Sequence, residues 1–387
     1  MARSPNRIAT LKQVLALPTA PFAEREVIAY VRQFCRDHGV SPPRTDSAGN
    51  LLIRVRRGKP KTKRPICLTA HMDHPGFIVT GATKGGLIRA AWRGGVKPDY
   101  FPNAKLRFWD DSRWIKGQII GVRHSGKGAQ RTVRDVTVET KKPLPAGTIG
   151  MWDLPDPTVR GRRIHARACD DLAGLAAMLC CVADLQSTRS TVDAYFLFTR
   201  AEEVGFVGAL AACRNRTIPA RCVVVAVENS SEIPGVKMGD GPILRVGDKA
   251  QIFSPQVTAH CGFVAERLAR RDKSFKFQRK LMDGGTCEST AYCHHGYDAT
   301  GICIALGNYH NMVRHNMVRH NKDRANQRIA PEYIHLDDFD NLVTWFVALC
   351  KQGGDLNVSG DAMTKRLSGL EKRHAALLKR TKKGTGV

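Results

Sequence analysis

The chain lacks any run of about eighteen apolar residues free of charge, which excludes a conventional membrane-spanning helix. Its opening, MARSPNRIATLKQVLALP, has neither the unbroken apolar stretch nor the small-residue cleavage site of a secretory leader, so the cytoplasm is the expected location. Among its 12 cysteines there is no C-x-x-C pair. Cys67, Cys180, Cys181, Cys222, Cys303 and Cys350 sit inside apolar patterns, which predicts reduced, buried thiols rather than a disulfide framework. Acidic residues are few: 35 Asp and Glu stand against 61 Lys and Arg, a formal net charge of +26. Such a field attracts polyanions and acidic solutes. The basic runs at 54–64 and 267–280 and in the C-terminal tail nevertheless carry no interleaved aromatic platforms and no recognised DNA-binding motif, which argues against nucleic acid as the partner.

What is present is a chain of 387 residues with 42 % apolar content, long enough for two domains, one with a large α/β core. Leu11, Val14 and Leu15, then Val27, Ile28, Val31 and Phe34, recur at three- and four-residue spacing and predict helices. The turn DSAGN (46–50) leads to a strand at 51–55, and the apolar run ICLTA (66–70) reads as a buried strand ending at His71. From 75 to 163 the texture changes to short β-like pieces broken by Gly and Pro, which predicts an inserted all-β domain. The flanks, 1–74 and 164–355, form one discontinuous catalytic domain in this reading. Beyond Asp171, helical and strand patterns alternate at 172–185, 193–199, 207–214 and 222–228, followed by a strand at 299–306 and a helix at 339–350. That alternation predicts an α/β fold with a mixed, largely parallel sheet flanked by helices. Residues 356–387 read as a basic C-terminal helix and tail. The pentapeptide HNMVR occurs at 310–314 and again at 315–319, a local duplication that places His310, His315 and His320 in one segment.

Five sites with acidic or imidazole groups fall at or just beyond predicted strand ends or at a helix start, the edge where open α/β sheets collect ligands. His71 ends ICLTA, Asp170 and Asp171 open a helix, Glu202 and Glu203 follow DAYFLFT, Glu228 ends CVVVAVE, and His310 follows ATGICIAL. A paired-metal hydrolase needs a carboxylate between two cations, an imidazole and a further oxygen ligand, and a free carboxylate to take a proton from water. Asp170 is the candidate bridge, His71 and Glu228 the remaining ligands of one ion, and Glu203 and His310 those of the other. Glu202 is the candidate general base. Asp73, two residues after His71, is placed to accept the second imidazole N–H and fix the ligating tautomer.

The segments AHMDHPGFIV (70–79), ARACDDLAGLAAM (166–178), TRAEEVGFVGA (199–209) and GGTCEST (284–290) resemble, in order and spacing, the hallmark segments of the tetrahedral or glutamyl aminopeptidases, a family of dinuclear metallopeptidases. The similarity extends to about residue 350 and includes the position of the β insert. It implies a zinc-exopeptidase-like catalytic domain, an inserted β-barrel-like dimerisation domain, and two zinc, cobalt or manganese ions. It also implies removal of N-terminal residues from short peptides and a homo-oligomer built from dimers. Residue by residue, His71, Asp170, Glu203 and His310 match ligands and Glu202 matches the base.

Three positions depart from the pattern. Glu228, followed by Asn-Ser-Ser, stands where the family carries Asp; related co-catalytic exopeptidases and deacylases use Glu there. GGTCES replaces GGTDA, putting Cys287 and Glu288 at the site's edge. The HNMVR copy offers His315 and His320 as competitors of His310. A two-metal amidohydrolase, deacylase or carboxypeptidase-type exopeptidase is therefore the alternative reaction, and a basic binding or scaffold protein on a hydrolase fold is the non-enzyme alternative. Cys287 reads as a site-lining residue rather than a nucleophile. Gly284 and Gly285 suggest close backbone approach to substrate.

Overall fold

A computed structural model of the chain describes residues 6–59, 64–83, 86–313 and 327–384. Two amphipathic helices, α1 (Arg7–Leu15) and α2 (Arg25–Asp37), precede β1 (Arg44–Thr45), β2 (Leu51–Arg57) and β3 (Ile66–His71). Six strands follow without a long helix: β4 (Gly76–Ala82), β5 (Ile88–Arg93), β6 (Lys105–Asp110), β7 (Arg113–Ser125), β8 (Thr132–Thr140) and β9 (Ile149–Trp152). After β10 (Thr158–Arg160) and β11 (Arg163–Ala166) come α3 (Leu172–Ser187), β12 (Val192–Thr199), α4 (Val207–Arg214), β13 (Val223–Ser231) and β14 (Ile243–Asp248). The chain continues through α5 (Pro255–Arg271), β15 (Gln278–Met282), α6 (Glu288–His294), β16 (Ala299–Leu306) and β17 (Glu332–His335) to α7 (Leu336–Gln352) and α8 (Asn357–Gly384).

The large sheet is 8-stranded and mixed, in the order β1-β2-β12-β3-β13-β16-β14-β15. Its centre is parallel, β12 with β3, β3 with β13 and β13 with β16. Antiparallel pairing appears on either side, β2 with β12 and β14 with β16. Every residue of β3 and of β16 is buried, as strands covered on both faces require. The helix α3, LAGLAAMLCCVADLQS, is apolar nearly all round because it is enclosed nearly all round, packing on β3, β13, α1 and α7.

β4, β5, β8, β7, β6 and β9 close into a barrel. Its interior is a nest of rings in which Phe77, Trp92, Phe101 and Trp152 meet with centroids 4.7 to 6.1 Å apart. The all-β stretch expected over 75–163 divides here. The barrel closes at Trp152, whereas β10 and β11 join β17 in a 3-stranded sheet, because Ile164 pairs in register with Ile334 and both are buried. Among the described residues no helix is long and apolar enough to cross a membrane.

Candidate active site

The parallel centre of the sheet converges on one edge, and each converging segment delivers a polar side chain. β3 ends in His71, and the chain is held there by the Met72 N–H donating to the Thr199 carbonyl at the end of β12 (2.9 Å). The His71 Nδ1–H donates to the carbonyl of Asp73 (3.0 Å), a pairing that leaves Nε2 as the free lone pair. Nε2 looks toward Asp170 Oδ1 (3.5 Å) and Glu202 Oε2 (3.9 Å). Asp73 thus orients the imidazole, but through its backbone. Its carboxylate, expected to be the acceptor, lies 3.6 Å from Nδ1 and instead accepts the N–H groups of Glu202 (3.0 Å) and Glu203 (3.1 Å). Those N–H groups open a single helical turn, where no intrahelical acceptor is available.

The turn bearing Glu202 and Glu203 starts from Ala201 and leads into Phe206, both at positive φ (52° and 57°). Buried Glu24 holds it, accepting the Ala201 N–H (3.1 Å) and the Arg200 Nε–H (2.8 Å). Asp170 precedes α3, its carbonyl 2.8 Å from His74 Nδ1. Glu228 was expected to end its strand; β13 instead runs on through Asn229, Ser230 and Ser231, because these three pair with Ile304, Ala305 and Leu306 of β16. His310 sits in a turn after β16. Its Nδ1–H donates to the Gly95 carbonyl of the barrel domain (3.0 Å), and its Nε2 lies 3.1 Å from Glu203 Oε2 and 3.8 Å from Asp170 Oδ2. His315 and His320 lie outside the described residues.

Donor atoms of His71, Asp170 and Glu228 fall within 4.8 Å of one another, as do those of Asp170, Glu203 and His310, so the two triads share Asp170. His71, Glu202 and Glu203 form a third, overlapping group. His71 Nε2, Asp170 Oδ1, Glu203 Oε1, Glu228 Oε1 and His310 Nε2 are all buried and without a hydrogen-bond partner. Five orphaned acceptors turned on each other would each cost about 1–3 kcal/mol if nothing joined them. A cluster of imidazole and carboxylate donors fits divalent cations and little else.

Burial and crowding also shift the titration of these groups. Burial and neighbouring Asp170 push Glu228 up to about 8. Burial, reinforced by Glu228, raises Glu202 well above the usual carboxylate range. Burial disfavours a charged imidazole at His310, yet Glu203 outweighs it and lifts the ring to about 9.

Around this centre, Cys287 is buried, its thiol pushed up to about 12 chiefly by burial, which removes the thiolate a nucleophile requires. Its N–H donates to Asp248. A Cβ on Gly284 or Gly285 would meet nothing within 4 Å, so protein packing does not demand glycine at either position.

The sequence reading did not anticipate His74, Gly95, Asn311 or Glu332. His74 bridges the Asp170 carbonyl and Asn311 Oδ1 (3.1 Å), and Glu332 accepts backbone N–H groups of two ligand-bearing segments. Only His74 had a visible signal, as the second histidine of AHMDH.

Comparison with known proteins agrees with this architecture. A protein of Acetivibrio thermocellus named as an aminopeptidase is 26 % identical over 259 residues, 62 % of this chain and 72 % of its own. The lysyl aminopeptidase of Pyrococcus furiosus is 25 % identical over 224 residues, 52 % of this chain and 62 % of its own. Among solved structures, an aminopeptidase from Desulfurococcus kamchatkensis superposes with a TM-score of 0.70 at 22 % identity, covering 90 % of this chain and 95 % of that one. The Pyrococcus horikoshii TET1 peptidase, which can assemble into a tetrahedron or a large octahedral shell, gives 0.70 at 20 % identity, covering 89 % and 99 %. The family model described as M42 glutamyl aminopeptidase matches residues 49–326, a span holding the barrel and every residue of both triads. On that match the chain belongs to the M42 glutamyl aminopeptidase family and is a metallo-aminopeptidase.

Proposed function

We propose that the chain holds two divalent metal ions, zinc by preference with cobalt or manganese as substitutes. Asp170 would lie between them, with His71 and Glu228 completing one set and Glu203 and His310 the other. The reaction is removal of N-terminal residues from short peptides. The observation that carries this reading is the pair of buried triads sharing Asp170, with an orphaned donor atom on each of the five residues. When bound, such a pair of cations lowers the pKa of water and polarises a peptide carbonyl.

The protein's own part follows from placement. The Glu202 side chain is 10 % exposed, against 1 % to 5 % for those of His71, Asp170, Glu203 and His310, and it belongs to neither of the two triads that share Asp170. It takes a proton from the attacking water and returns it to the leaving amine. Asp73 holds Glu202 and Glu203 by their N–H groups, and Gly95 and the Asp73 carbonyl fix the two imidazoles. The barrel, which touches the site through Gly95, limits access to short substrates and supplies the contact for a homo-oligomer of dimers, in keeping with the assemblies of the Pyrococcus horikoshii TET1 peptidase. Unpaired cysteines suit a cytoplasmic setting.

The test is elemental analysis of purified wild type and His310→Ala, with hydrolysis of free aminoacyl amides and their N-acetylated analogues on the same samples. About two ions per chain, loss of about one in the variant, and cleavage restricted to the free amines are expected. Preference for the acylated set would overturn aminopeptidase chemistry, and metal-free, inactive wild type would overturn the site.

A further inference from the structure

We infer that Glu332 is a positioning residue that locks the two loops carrying Asp170 and His310 into one rigid frame, so that the donor set is built before any ion arrives. The inference rests on the two-metal reading above. Glu332 is fully buried at the start of β17 and belongs to neither triad. Its Oε2 accepts the N–H of Cys169 (2.6 Å) and of Asp170 (3.1 Å), and its Oε1 accepts the N–H of His310 (2.8 Å). One carboxylate therefore joins the backbone of the shared ligand to the backbone of a ligand from a different segment of the chain. With both oxygens engaged by N–H donors, Glu332 serves the site through backbone geometry and not as a ligand.

The loop it holds would not keep its shape unaided. Asn308, His310 and Asn311 all have positive φ (54°, 51° and 66°), a region that Asn and His enter more readily than other non-glycine residues but that is rarely held by three positions in so short a stretch. Such a run persists only where surrounding contacts over-determine it. Those contacts come from the strip leading into Glu332 and from Arg167 ahead of α3. The Asn308 side-chain amide donates to the Pro331 carbonyl (2.8 Å), and the Asn311 amide donates to Arg167 (2.8 Å) and Ala330 (3.2 Å) carbonyls. Glu332 adds the charge-assisted bond at His310 itself, of a type roughly twice as strong as a neutral one. The same carboxylate pins the loop before α3, whose Asp170 carbonyl is held from the other side by His74. Displacing either loop by a fraction of an ångström separates Asp170 from His310, and the Glu203–His310 set depends on both.

A matched control exists on the neighbouring helix. Asp338 on α7 is also fully buried and accepts two backbone N–H groups, those of Gly239 and Gly241, each at 2.8 Å, and among the described residues these bonds join it to none of the residues of the two triads. A purely structural carboxylate would behave like Asp338.

The experiment strips the full-length protein of metal and titrates zinc against a chromophoric chelator, with thermal unfolding of the metal-free forms read in parallel. Glu332→Gln keeps the volume but turns a donor toward at least one N–H. It is expected to weaken zinc binding about 10- to 100-fold, more for one ion than the other, while Asp338→Asn binds as wild type does. Glu332→Asp retains the charge on a shorter stem and is expected to fall between, which keeps the test open if the Gln variant does not fold. Wild-type zinc affinity in the Glu332 variants would overturn the inference alone. A wild type that takes up no zinc would overturn the two-metal reading, and this inference with it.

Discussion

Two interiors of this molecule are equally closed to water and opposite in kind. Inside the barrel, Phe77, Trp92, Phe101 and Trp152 pack ring against ring, each pair adding roughly 0.5–1.5 kcal/mol beyond the area it buries. At the edge of the large sheet, His71, Asp170, Glu228 and His310 are 1 % to 6 % exposed, within the 0 % to 8 % span of the rings, yet each has a buried atom with no hydrogen-bond partner. Burial stabilises the first and penalises the second, since apolar surface gains about 25 cal/mol per Å² while an unsatisfied buried polar group loses about 1–3 kcal/mol. The barrel is not free of such defects: the Trp109 and Trp152 indole nitrogens and His124 Nδ1 are also buried and unpaired. Scattered single atoms of this kind are packing compromises. The five atoms at the sheet edge fall instead into two triads that share Asp170, the arrangement on which the proposed metal site rests.

The contrast can be broken most forcefully at Glu202. Glu202→Gln removes the proposed proton carrier and, with it, a carboxylate that burial disfavours. Turnover of an aminoacyl amide is expected to fall about 10²- to 10⁴-fold while the melting temperature holds or rises. Equal activity would assign the proton to another group. In the barrel the signs reverse. Phe77 is fully buried and in contact with three other rings, so Phe77→Ala is expected to destabilise the protein by about 3–5 kcal/mol in denaturant unfolding. Turnover per folded molecule should survive. A stability loss under about 1 kcal/mol would mean that the ring nest collapses around the gap and that the two interiors differ less than their composition suggests.

The division between these regions was partly legible in the sequence. Gly- and Pro-broken β pieces predict a β domain without naming its closure, and the barrel ends where Trp152 completes the ring nest rather than where the texture changes. His71, Glu202, Glu203 and His310 follow or end apolar runs, a one-dimensional signal of the sheet edge at which they meet. Glu228 misled by three residues because Asn229, Ser230 and Ser231 look like a turn and pair like a strand. What holds the ligands was far less visible. Gly95 acts through a carbonyl, which every residue possesses, and Asp73 orients His71 in the same way. Glu332 is a side-chain partner, but its three donors are backbone N–H groups from segments remote in sequence, and no spacing rule encodes such a contact.

The two interiors also touch, and the smallest expected effect measures how firmly. Met312, two residues beyond His310, is a member of the barrel's apolar cluster, and Tyr309 stacks on the His310 ring at 3.8 Å while packing against the same cluster. Zinc at 100 times its dissociation constant stabilises a one-site protein by about 2.7 kcal/mol. Val138, fully buried in β8 between its partners Ile88 on β5 and Ile119 on β7, offers a barrel position with no such link. Val138→Ala should lower stability and leave the zinc increment unchanged to within about 0.5 kcal/mol, as separate sites do. Met312→Ala should instead change that increment by about 0.5–3 kcal/mol, because it loosens the turn on which His310 is presented. If both variants add cleanly to zinc, the barrel's apolar cluster is a passive neighbour of the site, and the Gly95 carbonyl is the contact through which the barrel holds the His310 ring. If Val138→Ala couples as strongly as Met312→Ala, the whole ring nest bears on the ligand, and the boundary between a stabilising and a reactive interior lies inside the barrel rather than at its wall.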